Sequence, residues 1–204
     1  MPTTRALLVR HGQSTWNAEG RWQGWADPPL SPLGERQARD AVAHLHDMNI
    51  EAVVSSDLVR ARRTAEILAE GLGLGHVRID PDLRERDVGD LAGNTTEENH
   101  RYHPDAFDGD RLLLAPRGET PEQLLARVLP ALLRLAHLHP GETVLVATHG
   151  GVIRTVERHL GLNPPPTTPN LGGRWIDVCD GGRLEAGRAA LPVEPVLQTR
   201  PDSQ

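Results

Sequence analysis

The chain contains one cysteine, Cys179, in 204 residues, so an intrachain disulfide is excluded. Aromatic residues make up only 3% of it, and four of those six are tryptophan, which leaves the core to be built from aliphatic side chains. No apolar run approaches the roughly 18 residues of a membrane-spanning helix, and Met1-Pro2-Thr3-Thr4-Arg5 is no hydrophobic leader. The expectation is a cytoplasmic protein without a membrane partner. Blocks of basic residues and basic-aromatic alternation are also missing, and the formal charge is -6. Binding to a nucleic-acid polymer is thereby disfavoured, since phosphate-backbone affinity needs a concentrated positive surface. A small anion needs only a local cluster of arginines.

Motifs for metals and nucleotides are absent as well. Glu97-Glu98-Asn99-His100 and His103 have neither zinc spacing nor the HExxH pattern, so a solvated surface is expected there and no metal. Gly71-Leu72-Gly73-Leu74-Gly75 is not a dinucleotide fingerprint, and no P-loop occurs. No cofactor is called for.

What is present points to alternating strands and helices. The length suits one substantial core and is cramped for two, so residues 1–204 are expected to form a single domain. Leu7-Leu8-Val9 reads as a buried parallel strand that ends in Arg10-His11-Gly12. After Asn17 the stretch to Leu30 has no sustained period and reads as a loop; its tryptophans, with Trp16, are assigned first to core packing and second to the substrate side. Ser31-Pro32 supplies a cap and a first-turn proline for a helix with Ala38, Ala41, Val42 and Leu45 inward. Glu51–Ser55 fits a strand, and Ser56 or Asp57 is expected to cap a helix from near Leu58, with Leu58, Ala61, Ala65 and Leu68 on its apolar stripe and Arg60 off it.

His76–Asp80 reads as a further strand, followed by an ionisable loop to Gly89. From Leu91 to Gly118 periodicity is weak, with one helix near Thr96–Tyr102, and a small cap over the site is expected. Thr120-Pro121-Glu122-Gln123 combines a cap, a first-turn proline and a reciprocal capping glutamine ahead of an amphipathic helix through Leu135. Thr143–Ala147 is another apolar strand, and a helix spans Val152–Leu160 after His149-Gly150-Gly151. Pro164-Pro165-Pro166 forces a non-helical connection. Arg174–Val178 adds a strand, Arg188–Gln204 gives weak signs of a last one, and 195–204 reads as a flexible tail. The sum is an α/β fold, a three-layer α/β/α sandwich around a mostly parallel central sheet.

Five stretches carry chemistry: Arg10-His11-Gly12-Gln13-Ser14-Thr15-Trp16-Asn17, Ser55-Ser56-Asp57-Leu58-Val59-Arg60-Ala61, Leu83-Arg84-Glu85-Arg86, Gly118-Glu119-Thr120, and Ala147-Thr148-His149-Gly150-Gly151. In order and spacing they resemble the histidine phosphatase superfamily, which contains phosphoglycerate mutases and many phosphatases. The resemblance runs from Leu7 to about Asp177. It implies a phosphoglycerate mutase-like fold and a covalent phosphohistidine on His11, with Arg10, Arg60 and His149 around the phosphoryl group. Glu85 matches the position of the family's proton donor, although Asp87 lies close enough in sequence to confuse the assignment. Asn17 is expected at the phosphate, Gln13 either there or in loop hydrogen bonding, and Gly150 beside His149. Glu119 either orients the site or simply opens the next helix.

The chemistry suits these residue types. Arginines pair with phosphoryl oxygens and stabilise charge during transfer, imidazole is a competent nucleophile, and a carboxylic acid can protonate the departing alkoxide. The expected substrate is a small phosphate monoester. The short Glu85-to-Gly118 connection favours hydrolysis, because mutases of this family usually devote a longer insertion there to holding the intermediate. A cofactor-dependent phosphoglycerate mutase and a non-catalytic phosphate-binding or regulatory protein are the alternatives, and a homodimer is left open. Leu91, where the family often has an aromatic residue, and the glycine-rich Asn170–Trp175 bear on substrate identity rather than on phosphoryl chemistry.

Overall fold

The computed structural model describes residues 2–109, 111–164 and 167–190. Chain order gives β1 (Thr4–Arg10), α1 (Thr15–Ala18), α2 (Pro32–Leu45), β2 (Ala52–Ser55), α3 (Val59–Gly71) and β3 (Val77–Ile79). Then follow α4 (Thr96–Tyr102), β4 (Phe107–Asp108), β5 (Arg111–Leu112), α5 (Pro121–Leu138), β6 (Thr143–Thr148), α6 (Gly150–His159), β7 (Gly173–Val178) and β8 (Leu184–Ala190). Among the described residues no helix is long and apolar enough to cross a membrane.

β1 divides the interior because alternate side chains leave opposite faces of a strand. Ala6 and Leu8 enter one apolar cluster with Leu124, Val128, Leu132, Val152 and Val156 of α5 and α6. Leu7 and Val9 enter the other, with Ala41 and Leu45 of α2 and Ala65 and Leu68 of α3. A strand buried on both faces thus lies between two pairs of helices, and the three layers follow. The main sheet has the order β3-β2-β6-β1-β7-β8. β3, β2, β6 and β1 are parallel neighbours, whereas β7 runs antiparallel to both β1 and β8.

Local signals account for the helix starts. Ser31 Oγ accepts the Gly34 N–H at 3.0 Å ahead of α2, and Thr120 and Gln123 close a capping box ahead of α5. Gly12 and Gly34 let α2 rest directly on the loop after β1, since a Cβ on Gly34 would lie 2.0 Å from Gln13 O.

Three expectations need correction. Asp57 does not cap α3 and pairs with Arg84 instead; Ser56 Oγ accepts the Leu58 N–H at 3.3 Å just ahead of the helix, and the first helical N–H, that of Val59, is held at 2.7 Å by Asp27 from the tryptophan-rich loop. The expected loop up to Leu30 is present, and α1, a single turn whose capping box joins Ser14 and Asn17, precedes it. The last strand is Leu184–Ala190 rather than a segment beginning at Arg188, because it is the register with β7 that defines it. Of the first three tryptophans only Trp22 packs against a buried apolar cluster, and it is half-buried; Trp16 is half-buried, Trp25 is exposed, and Trp175 alone of the four is buried among aliphatics. Residues 191–204, with the expected tail, and Pro165-Pro166 lie outside the described residues.

Between Leu91 and Gly118 the chain forms α4 and the β4–β5 hairpin. Leu91, Val88 and Ala115 are buried there against Trp22, Phe107 and Leu112, a third small cluster. Of the residues with superficial metal character, Glu98 closes the α4 capping box with Thr95, and His100 stacks edge-on against Phe107 at 4.3 Å.

Candidate active site

Strand pairing brings the two histidines together. β1 and β6 lie side by side with Arg10 opposite Thr148, so the residues that follow them emerge at one sheet edge. His11 N–H donates to Thr148 O at 3.0 Å, and the imidazole centroids of His11 and His149 are 5.2 Å apart. β2 flanks β6 on its other side, with Ser55 opposite Ala147. That register sets Ser56 Oγ 3.0 Å from His149 Nε2.

The tautomer of His11 follows from its neighbours. Its Nδ1 lies 2.6 Å from Gly12 O, which can only accept, so Nδ1 carries the proton. Nε2 then holds a lone pair, and Arg60 Nε donates to it at 3.3 Å. Burial, reinforced by the charges of Arg60 and Arg10, holds the His11 pKa well below the ordinary imidazole value. His149 is depressed for the same reasons, burial first, and its Nδ1 is buried without a hydrogen-bond partner among the described residues.

Arg60 is fully buried although it lies off the apolar stripe of α3. Two carbonyls of the loop before α2 hold it, since Nη1 donates to Ala26 O and Nη2 to Gly24 O, both at 2.8 Å. Arg10 donates to Thr168 O. Burial lowers the pKa of each guanidinium to about 10, against the opposing effect of the Glu85 charge. Both remain cations at neutral pH.

Glu85 reaches the same edge from the loop after β3. Its Oε2 accepts the Gly151 N–H at 3.0 Å at the start of α6, and Oε1 accepts the Arg86 N–H at 2.8 Å. A Cβ on Gly151 would lie 2.1 Å from Oε1, so only glycine admits the carboxylate there. Asp87 is turned away, its Oδ1 accepting the Gly89 N–H at 2.9 Å.

The remaining expected residues divide. Gly150 opens α6 beside Arg10. Asn17 Oδ1 accepts the Ser14 N–H at 3.2 Å and so also shapes the first loop. Gln13 Oε1 accepts from the hydroxyl of Ser31, which ties Gln13 to the start of α2. Glu119 forms a two-pronged pair with Arg127 at 2.7 and 2.8 Å. Arg127 in turn donates to the carbonyls of Asp82, Arg84 and Glu85, each at 2.8 Å, and clamps the loop that carries Glu85.

Sequence reasoning missed several contributors. Ser56 and Gly151 stood inside the quoted stretches, but only the parallel registers reveal what they touch. Arg127 lies outside those stretches, within α5. Trp25 donates its indole N–H to Glu85 O at 2.8 Å and stacks on Arg84 at 5.0 Å, so it belongs to the rim of the site.

Two arginines, two neutral imidazoles and a carboxyl group at the edge of a parallel sheet define a centre suited to phosphoryl transfer. Residues 6–177 match the profile of the histidine phosphatase superfamily (branch 1), and the chain belongs to that family. An uncharacterised phosphatase of Bacillus subtilis, PhoE, is 39% identical over 162 residues, 79% of this chain and 80% of that protein. A metal-independent phosphoserine phosphatase of Arabidopsis thaliana is 40% identical over 159 residues, 75% of this chain and 67% of its own length. Other relatives, such as GpmB of Escherichia fergusonii, are named probable phosphoglycerate mutases. The solved structure of a mycobacterial glucosyl-3-phosphoglycerate phosphatase with VO3 superposes with a TM-score of 0.78 at 30% identity, over 92% of this chain and 97% of that one.

Proposed function

We propose that the protein hydrolyses small phosphate monoesters through a phosphohistidine on His11. The observation that carries this reading is the Nδ1 contact to Gly12 O, 2.6 Å, which leaves Nε2 as a lone-pair nucleophile facing Arg60. Nε2 attacks phosphorus while Arg10, Arg60 and His149 Nδ1 bind the non-bridging oxygens and stabilise the charge that accumulates on them. The bond to the bridging oxygen breaks, and protonated Glu85 delivers its proton to that oxygen, releasing the alcohol. Phosphorylation makes the His11 ring cationic, and Gly12 O stabilises that charge through Nδ1–H. Glu85, now a carboxylate, takes a proton from water as the water oxygen attacks phosphorus. Orthophosphate leaves, with His11 neutral and Glu85 protonated again.

The 91–118 segment serves as a cap of modest size, and Asn17 offers its amide N–H to a phosphoryl oxygen. Hydrolysis is favoured over mutase activity because a short cap leaves little chain to retain an intermediate while it reorients. The positive charge is supplied by guanidinium groups, and the relative named as metal-independent fits that arrangement. The test is rapid acid or alkaline quench of the protein during turnover. Phosphate should appear on His11 in an acid-labile, alkali-stable form, should be lost in His11→Ala along with activity, and should persist after chelation. Phosphate on another residue, or an absolute metal requirement, overturns this mechanism, and interconversion of phosphoglycerates with little phosphate release favours the mutase.

A further inference from the structure

Ser56 and His149 are both fully buried, and they meet because β2 and β6 are parallel neighbours. Ser56 N–H donates to Ala147 O at 3.1 Å, which fixes the serine beside the end of β6, and its Oγ stands 3.0 Å from His149 Nε2. His149 Nδ1 is buried and has no hydrogen-bond partner among the described residues. One ring nitrogen is therefore held and the other is left over. In a neutral imidazole one nitrogen donates and the other accepts, so the partner of the first decides the role of the second.

The role of the serine follows from its other neighbour. Leu58 N–H donates to Ser56 Oγ at 3.3 Å just ahead of α3, so the oxygen already accepts one hydrogen bond at the positive end of a 13-residue helix. Among the described residues the hydroxyl hydrogen has one acceptor, His149 Nε2. Were Nε2 protonated instead, Oγ would accept twice and its own hydrogen would be buried without an acceptor. Nδ1 would then turn a lone pair toward phosphoryl oxygens, which carry only lone pairs. A second proton on the ring is opposed by burial first and by the charge of Arg60 next. The two histidines thus present opposite faces of the same chemistry. At His11 the contact to Gly12 O leaves Nε2 as a lone pair, whereas at His149 the serine leaves Nδ1 as a donor.

We propose that Ser56 is a positioning residue: its hydroxyl donates to His149 Nε2 and thereby fixes the ring proton on Nδ1, so that His149 meets the phosphoryl group as a hydrogen-bond donor. The identity of the anion rests on the phosphatase reading, while the tautomer belongs to the free protein. His149 keeps its proton throughout. The Nδ1–H contact to a non-bridging oxygen strengthens as negative charge gathers there.

Two-bond proton–nitrogen correlation spectra of the ligand-free protein read the tautomer directly at about pH 8, where ordinary imidazoles are neutral. The His149 signals are identified by their loss in His149→Asn. Wild-type His149 should carry its proton on Nδ1, and Ser56→Thr, which keeps the hydroxyl, should preserve that pattern. Ser56→Ala should move the proton wholly or partly to Nε2. It should also lower kcat/KM for p-nitrophenyl phosphate and the affinity for inorganic phosphate by about 10- to 100-fold, the range of a hydrogen bond to a charged group. In a His149→Ala background the serine has no ring to orient, so adding Ser56→Ala should change the phosphate dissociation constant by less than about twofold. A proton on Nε2 in the wild type, an unchanged tautomer in Ser56→Ala, a reversed tautomer with unweakened phosphate affinity, or equal penalties in both backgrounds each overturns the proposal. Should Ser56→Ala not fold, Ser56→Cys, whose thiol is a weak donor, takes its place with the same outcomes. Failure of the wild type to hydrolyse any phosphate monoester sinks the phosphatase reading instead, and the tautomer with the phosphate dissociation constants still decides the role of Ser56.

Discussion

At the scale of single residues, the position of Glu85 depends on the glycine opposite it. The carboxylate lies against the first turn of α6, where Gly151 contributes an N–H at 3.0 Å and no side chain. Glu85→Gln keeps the shape but cannot donate a carboxylic proton, and hydrolysis of alkyl phosphates should fall by about 10² to 10⁴-fold. Gly151→Ala introduces a methyl group 2.1 Å from Oε1 and must displace the carboxylate, so its losses should follow the same pattern. For both variants p-nitrophenyl phosphate, whose leaving group departs without a proton, should be affected much less. A plot of kcat/KM against leaving-group pKa measures this. Parallel lines for wild type and Glu85→Gln would remove Glu85 from the proton-donor role.

At the scale of elements, α3 carries Arg60 into the pocket on its first turn, and its first N–H group, that of Val59, is held from outside. Asp27 accepts the Val59 N–H while the carbonyls of Gly24 and Ala26 hold the Arg60 guanidinium, so one loop fastens both the helix end and its functional side chain. Asp27→Ala should cost about 1 kcal/mol of stability as a lost cap. It should also raise KM, because the loop that orients Arg60 is released; denaturant titration and steady-state kinetics read the two effects separately, and a stability loss with unchanged KM would uncouple them. This tie was invisible in the sequence because Asp27 and Val59 are far apart in the chain. What could be read was locally encoded: the two-sided burial of β1 and β6 in unbroken apolar runs, and the starts of α2 and α5 in Ser31-Pro32 and Thr120-Pro121-Glu122-Gln123. Part of the pocket was legible for the same reason, since Arg10 ends β1 and His11 and His149 follow β1 and β6, whereas Arg60 at the start of α3 and Glu85 in the loop after β3 were singled out by the family resemblance. The β4–β5 hairpin and the place of Trp25 were not, because two-residue strands and a rim indole are stabilised by tertiary contacts rather than by a local period.

On the scale of the whole molecule, the sheet edge buries two imidazoles beside two guanidinium groups, and acid stability is where this arrangement should be felt. His11 and His149 are almost wholly inaccessible, and burial, then neighbouring positive charge, keeps both pKa values well below the ordinary one. In the unfolded chain each binds a proton near pH 6.5. Above that pH both states hold the rings neutral, and the depression has no effect on stability. As the pH falls below it, the unfolded state binds protons that the folded state refuses, so stability declines until the lower folded pKa values are reached. Each histidine contributes a slope of about 1.4 kcal/mol per pH unit within that window. Denaturant unfolding of the wild type between pH 7 and 5 should therefore be steeper in pH than that of His149→Asn, by close to one proton. The comparison cancels the exposed histidines and the carboxylates, which titrate alike in both proteins. Equal slopes would mean that His149 takes up its proton as readily folded as unfolded, and that the pocket does not hold its imidazole neutral.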